Sequence, residues 1–449
     1  MRPTHLLQPR TGTPSSHTPA KEVAAASPGA RTRTRPGVMT RMARRLVFRT
    51  LSRIRRGHIM VEEADGRQTG FGDSGSPLTT HLTISDPAMY RAVAFGGSIG
   101  SAESYMDGHW SCSDLVALVR IMVLNMDVLS AMDLRNAALR GLVERLGNLA
   151  RRNNRSGARR NIAAHYDLSN DFFATFLDPT MMYSSAIFKD ASQSLDEAAV
   201  AKLRHISERL DLGPDDHLLE IGTGWGGMAE LAAREYGCRV TTTTLSREQY
   251  QFTLERIHEA GLEDRVTVLM EDYRDLQGQY DKLVSIEMIE AVGHEYYRDY
   301  FEKCASLLKP DGLMLIQAIT ISDQRYDRAR RKVDFIQRYI FPGGCLPSNS
   351  VIASHVARFT DMQIVGMEDI TQDYALTLAH WRQRFLHQSR RITDTGFSEP
   401  FLRMWDYYLA YCQGGFMERV IHTAQFLIAR PEARLAPLHA RLASRERNS

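Results

Sequence analysis

Cysteine is scarce in this 449-residue chain: Cys112, Cys238, Cys304, Cys345 and Cys412 are odd in number, widely scattered, and form no Cys-x-x-Cys pair. That pattern argues against a disulfide scaffold or a zinc knuckle and fits a reducing compartment; no metal site is expected. Long apolar runs are missing too. The most apolar stretch, Leu115 to Leu129, is broken by Arg120, Asn125 and Asp127, short of the roughly 18 to 20 apolar residues a membrane-spanning helix needs. No repeat period is present, and 31 glycines with 16 prolines exclude a collagen-like or low-complexity chain. The basic N-terminus runs into no apolar core and small-residue cleavage site, so no secretory signal is expected. With 43% apolar and 24% charged residues, the chain reads as globular and of two-domain length.

The charge is uneven. The net value is +3, yet residues 1 to 57 hold 13 Arg and Lys against one acid, Glu22, so that segment carries +12 and the other 392 residues −9. Residues 1 to about 38 are rich in Pro, Thr, Ser, Ala and Arg, with few large apolar groups, and are expected to be disordered. From Met39 to Arg56, Met39, Met42, Leu46, Val47, Phe48, Leu51 and Ile54 recur at helical spacing among Arg41, Arg44, Arg45, Arg49, Arg53, Arg55 and Arg56. A basic amphipathic helix of this kind suits an anionic membrane surface; the alternatives are a stripe docked on its own domain, a transit peptide, or a start misassigned upstream of Met39.

Strand-like alternation near Leu82 to Ile84 and a helix from Asp114 to about Asn125 mark a small mixed segment. The basic stretch from Arg135 to Arg160 reads as an exposed connector. Beyond it, apolar strands alternate with amphipathic helices. Strands are expected at 217–221, 239–244, 266–270, 281–286, 312–319, 362–368 and 420–428, which predicts an α/β fold with a doubly wound parallel sheet.

The first of these strands runs into Gly222-Thr223-Gly224-Trp225-Gly226-Gly227, where bare backbone can approach a ligand at the carboxyl end of the sheet. Glu220 precedes the turn, and about 20 residues on, where a dinucleotide fold places its ribose-binding acid, stand Thr244, Leu245, Ser246 and Gln249. That weakens a nicotinamide dinucleotide and favours S-adenosylmethionine. Glu220 would orient its amino group, Gly222 and Gly224 would admit the methionine moiety, and Asp272 with Tyr273 would hold adenine.

The segment His165-Tyr166-Asp167-Leu168-Ser169-Asn170-Asp171-Phe172-Phe173, then Tyr183-Ser184-Ser185, Glu290-Ala291-Val292-Gly293-His294, Phe335 to Gly344, and Asp373-Tyr374 resembles the cyclopropane-fatty-acid synthase family. Glu103 to Trp110 resembles the small N-terminal domain of its full-length members. The resemblance implies a Rossmann-like seven-stranded methyltransferase sheet preceded by a small lipid-facing domain. The expected division is a basic tail with its helix over 1–57, the small domain over 58–134, a basic linker over 135–160, and the catalytic domain over 161–449.

It also implies transfer of a methylene group from S-adenosylmethionine to a cis double bond of a phospholipid acyl chain, through a carbocation deprotonated by bound bicarbonate. The family's bicarbonate ligands map to Ser185, Glu290, Gln317, Ile319 through its backbone, and Tyr374. Two positions depart from the best-known pattern, which has Cys at Ser185 and His at Gln317, so a methyl-branched or exomethylene product stays open. Cys412 matches a cysteine once considered a nucleophile, although the mechanism needs no covalent intermediate. The cofactor register adds Tyr183, Ser184, Thr244 and Gln249, and Phe172, Phe173, Tyr339 and Phe341 are candidate walls of an acyl tunnel. A cytoplasmic, peripherally membrane-bound enzyme follows, with phospholipid substrate, an anionic membrane surface and a homodimer as partners and no nucleic acid. A small-molecule methyltransferase and a binding protein without turnover are the competing readings.

Overall fold

Periodicity and capping set the elements at the N-terminal end. The computed structural model describes residues 37–127, 169–190 and 192–435; the expected tail to residue 36, the 135–160 linker and His165 to Leu168 lie outside the described residues. Helix α1 (Val38–Leu51) buries Ala43, Val47 and Leu51. Strands β1 (His58–Glu63), β2 (Gln68–Gly72), β3 (Thr79–Ile84) and β4 (Trp110–Cys112) form a sheet of order β2-β1-β3-β4. Between β3 and β4 runs α2 (Ala88–Met106), kinked at Gly97, whose φ of 58° is left-handed. Helix α3 (Leu115–Leu124) starts where the sequence places it, because the Asp114 carboxylate accepts the Ala117 N–H.

Helix α1 belongs to this domain and not to a separate tail, since the compact unit opens at Val38. Arg44 makes a two-bond pair with Glu63 at 2.7 and 2.5 Å, and Phe48 packs edge-on against Phe71 and Tyr90. The apolar stripe is thereby split in two. Val47, Leu51 and Ile54 are buried, whereas Val38, Met39, Met42 and Leu46 stay 63%, 57%, 61% and 40% exposed.

The second sheet holds all seven expected strands: β5 (His217–Ile221), β6 (Arg239–Thr243), β7 (Val266–Leu269), β8 (Tyr280–Ile286), β9 (Leu308–Ile321), β10 (Gln363–Asp369) and β11 (Ile421–Ala429). Their order is β10-β11-β9-β8-β5-β6-β7. The pairs from β9 through β8, β5 and β6 to β7 are parallel. Strand β11 departs from the expected parallel sheet, lying antiparallel to both β9 and β10. The central strands are apolar throughout because helices cover both faces; Leu313 to Ala318 of β9 are buried without a break.

Around this sheet lie α4 (Asn170–Ala174), α5 (Leu195–Arg209), α6 (Gly227–Tyr236), α7 (Arg247–Glu259), α8 (Tyr297–Leu307), α9 (Asp323–Ala329), α10 (Asn349–Phe359), α11 (Thr371–His387), α12 (Ser389–Asp394) and α13 (Glu399–Met417). The small domain docks on α11 and α13. Asp406 accepts the Tyr105 hydroxyl at 2.8 Å and Arg382 at 2.6 Å, and Arg403 donates to the carbonyls of Tyr105 and Trp110. Glu103 accepts the Tyr339 hydroxyl at 2.6 Å. The small domain therefore contacts the segment from Phe335 to Gly344 directly.

Candidate active site

The carboxyl ends of β5, β6 and β7 carry the expected cofactor residues. Gly222 and Gly224 take φ of 100° and 54°, and where a side chain would begin at Gly224 nothing lies within 4 Å. The turn thus offers bare backbone beside open space, which fits a ligand such as S-adenosylmethionine. Thr244 donates to Gln249 Oε1 at 2.9 Å at the end of β6. Asp272 is held by Arg274 Nε at 2.8 Å, and Tyr273 packs edge-on against Tyr300. Glu220 lies under the turn, where its Oε2 accepts the Thr242 hydroxyl at 2.7 Å. Burial pushes its pKa up to about 8. Trp225 is a packing group, buried and donating to Asn170 at 2.7 Å.

One residue absent from the sequence expectations occupies the centre of the second half of the site. Glu287 follows β8 with a left-handed φ of 49°, an uncommon conformation for a side-chain-bearing residue. Its Oε1 accepts the Ser185 N–H at 3.0 Å and the Gln317 amide at 2.8 Å, and its Oε2 accepts the Tyr374 hydroxyl at 2.8 Å. Three of the five groups expected to hold bicarbonate therefore bind a carboxylate of the chain itself. The Ser185 hydroxyl turns away to the Ala186 carbonyl at 2.9 Å, so Ser185 contributes through its backbone. Ile319 N–H donates to Glu290 Oε1 at 2.5 Å, while Glu290 Oε2 is buried without a hydrogen-bond partner. The residues fit bicarbonate poorly: Ser185 N–H, Gln317 and Tyr374 already bind Glu287, a further anion would stand beside that carboxylate, and only Glu290 Oε2 is left open to it.

Electrostatics separates the two acids. Burial, then the neighbouring Glu287 charge, pushes Glu290 up to about 8, so it is neutral at pH 7. Burial also raises Glu287, but the Ser185, Gln317 and Tyr374 donors and the Lys202 charge oppose the rise. Lys202 of α5 is itself fully buried and donates to Ser184 Oγ at 2.9 Å. Its burial lowers its pKa to about 8 against the opposing pull of Glu287, Asp178 and Glu220. It links the cofactor side of the site to the carboxylate side.

Behind Gln317 runs a chain of side-chain bonds. Gln425, its register partner across β9 and β11, donates Nε2 to Gln317 Oε1 at 3.0 Å, and Arg209 donates to Gln425 Oε1 at 3.2 Å. Each bond fixes which way the next amide faces, ending with the Gln317 NH2 on Glu287.

Aromatic rings cluster beside Tyr374 and its Glu287 partner. Tyr183 shares a 2.9 Å hydroxyl contact with Tyr408 and lies against Trp381 and Phe341, and Tyr374 stacks on Phe416 at 4.4 Å. Phe172 and Phe173, expected as tunnel walls, are buried against Trp405, and Phe173 also packs edge-on against Tyr183 at 5.2 Å. Burial drives the Cys412 thiol well above its usual pKa, and the Asp334 charge adds to the rise. That thiol stays protonated, as a packing group rather than a nucleophile.

Sequence signals for the missed residues existed. Lys202 falls on the apolar face of α5 with Ala198, Ala199, Leu203 and Ile206, and Gln425 interrupts an apolar strand. Glu287 directly follows β8, three residues before Glu290.

Comparison with known proteins agrees with this architecture. The family profile of mycolic acid cyclopropane synthetase matches residues 153–426. The chain is 39% identical to the tuberculostearic acid methyltransferase UfaA1 of Mycobacterium tuberculosis over 397 residues, 87% of this chain and 91% of that one. It is 38% identical to the cyclopropane-fatty-acyl-phospholipid synthase of Escherichia coli (strain K12) over 370 residues, 81% and 91% of the two chains. The solved structure of mycolic acid cyclopropane synthase CmaA1, complexed with SAH and CTAB, superposes with a TM-score of 0.57 at 30% identity, covering 60% of this chain and 98% of that one. The chain belongs to the mycolic acid cyclopropane synthetase family and is an S-adenosylmethionine-dependent methyltransferase.

Proposed function

We propose that the protein transfers a methylene group from S-adenosylmethionine to the cis double bond of unsaturated phospholipid acyl chains, forming a cyclopropane ring. The observation that carries this reading is Glu287, a carboxylate fixed by three donors beside a cluster of aromatic rings, next in the chain to Met288, which lies against the cofactor turn at Gly222. Tyr183, Ser184, Gly222, Gly224, Thr244, Gln249, Asp272 and Tyr273 would hold the cofactor, which supplies an electrophilic sulfonium methyl group. An alkene is a weak nucleophile, so alignment within the cavity provides much of the rate.

The rings of Tyr183, Tyr374, Trp381 and Tyr408 exclude water and present π-faces to a substrate cation. Glu287 then takes the proton released as the ring closes. It suits the task because the three donors favour its charged form and hold it in place, while burial makes it more basic than a carboxylate in water. Glu290, held neutral, leaves it as the single negative charge of the pair.

A second reading rests on the 39% identity to a tuberculostearic acid methyltransferase: proton loss after a hydride shift along the acyl chain gives an exomethylene product, which a separate hydride donor would have to reduce to give a saturated methyl branch. NMR of the product lipid separates ring from branch.

The substrate lies in a membrane, and no helix among the described residues is long and apolar enough to cross one. The exposed Val38, Met39, Met42 and Leu46 of α1, flanked by Arg41, Arg45 and Arg49, suit peripheral insertion into an anionic cytoplasmic leaflet. Expression in a host without such activity, fed methyl-labelled methionine, tests the reading. Labelled one-carbon additions to acyl chains support it, and their absence with active, cofactor-binding protein overturns it.

A further inference from the structure

Arg325 of α9 lies at the junction between the small domain and the catalytic domain, six residues after Ile319 and the Glu290 carboxyl it binds. Its Nη1 donates to the thioether sulfur of Met126 at 3.4 Å, a weak acceptor for a full positive charge. Among the described residues no carboxylate pairs with it. The guanidinium is partly buried, and that burial, together with the nearby Arg328, lowers its pKa. A partly buried charge without a counter-ion is costly unless an anion joins it.

The surroundings point the same way. Asn125, next to Met126, is buried and receives the backbone N–H groups of Arg55 and Arg56 at 2.8 and 3.2 Å, returning a bond to the Arg56 carbonyl at 2.8 Å. The chain that carries the exposed arginines 55 and 56 is thus pinned beside the residue that Arg325 touches. Arg328 is exposed one turn further along α9. Acids are present as well: Asp327 is engaged by Arg330 at 3.0 Å, Asp127 is exposed, and Asp334 receives the Gln337 N–H at 2.9 Å.

From this geometry we propose that Arg325, supported by Arg55, Arg56 and Arg328, binds the phosphodiester of the glycerophospholipid whose acyl chain enters the site. The inference rests on the phospholipid reading of the function and names the group that holds the head. A planar guanidinium can meet two phosphate oxygens at once, which would anchor the head group while the acyl chain runs inward past Tyr411 toward Glu287.

Binding tests this without turnover. Full-length wild-type, Arg325→Gln and Arg325→Lys proteins are titrated calorimetrically with a saturated short-chain phosphatidylglycerol below its micelle concentration, with the matching diacylglycerol, and with inorganic phosphate. Equal thermal stabilisation by S-adenosylmethionine certifies that each variant is folded. The proposal expects phosphatidylglycerol to bind Arg325→Gln about tenfold more weakly than wild type, the effect of one lost charge-assisted contact. Arg325→Lys should fall between, and diacylglycerol binding should not change. Equal phosphatidylglycerol binding by wild type and Arg325→Gln, equal loss for both lipids, or no binding by wild type overturns it. So does inorganic phosphate binding as tightly as the lipid, which would make this a free-phosphate site. A wild type that binds the head group yet modifies no unsaturated chain would sink the proposed reaction and leave this site standing.

Discussion

Glu287 and Glu290 stand three residues apart, yet three donors from distant segments converge on the first carboxylate, while only backbone N–H groups, of Ile319 and of Glu290 itself, reach the second. Two carboxyl groups in a dry site do not both ionise at low cost, and the donor count decides which one keeps its charge. That asymmetry is why Glu287 is the base of the proposed reaction.

Replacing Glu287 with Gln keeps the shape and removes the proton acceptor. Turnover should fall by about 10²- to 10⁴-fold, the usual worth of a positioned general base, with the cofactor dissociation constant within about twofold of wild type. Because the donors expected for bicarbonate are occupied, stripping bicarbonate from the buffer should leave wild-type turnover unchanged. Single-turnover kinetics in carbonate-free buffer measures both.

Glu290 gives the fold a pH dependence with a definite sign. Its pKa of about 8 lies above the ordinary 4.5, so between those values the native state keeps a proton the unfolded chain has released. Its contribution to stability is greatest below pH 4.5 and declines as pH rises toward 8. Glu290→Gln has no such proton to lose. Its melting temperature should therefore fall less than that of wild type between about pH 5 and pH 9, as scanning calorimetry would show.

Gln425 makes no contact with Glu287 but fixes the amide that does. In Gln425→Leu, Gln317 is free to turn its oxygen inward, and Glu287 loses a donor that favours its charged form. The Glu287 pKa should rise, the acid limb of the kcat profile should move to higher pH, and kcat at neutral pH should drop by up to about tenfold. Unchanged KM for the cofactor would set this apart from general damage to the sheet.

The exposed stripe of α1 can be altered without touching its docked face. Met39→Ser combined with Met42→Ser should leave the melting temperature unchanged and weaken binding to anionic vesicles by about tenfold, given roughly 25 cal/mol per Å² of apolar surface. Raising salt should weaken wild-type binding further, since each basic residue at the surface adds roughly 1 kcal/mol. Deletion of residues 1–37 is the clean test of the tail; deletion to residue 57 would also remove the buried Val47, Leu51 and Ile54.

The strands of the large sheet were legible because apolar runs with glycine-rich boundaries leave few alternatives, and the glycine turn after β5 announced the cofactor end. The small sheet was not, apart from β3: β2, Gln68–Gly72, carries two glycines and little apolar alternation. Periodicity showed that α1 is amphipathic but could not show that Val47 and Leu51 dock while Met39 and Met42 do not, since that depends on Phe71 and Tyr90 from distant sequence. Glu287 was not legible for a related reason. Ser185, Gln317 and Tyr374 were found, but what they hold depends on the turn after β8, where a left-handed residue swings Glu287 among them.

The central claim is that this chain builds a one-carbon bridge on an unsaturated phospholipid with a proton acceptor of its own. The most direct measurement incubates purified protein with dioleoylphosphatidylglycerol vesicles and S-adenosylmethionine carrying a trideuterated methyl group, in carbonate-free buffer, followed by mass spectrometry and NMR of the acyl chains. The account predicts cyclopropane chains that retain two of the three deuteriums, formed by wild type and lost in Glu287→Gln. Acyl chains without added label, or a ring that forms equally well in Glu287→Gln, would contradict it.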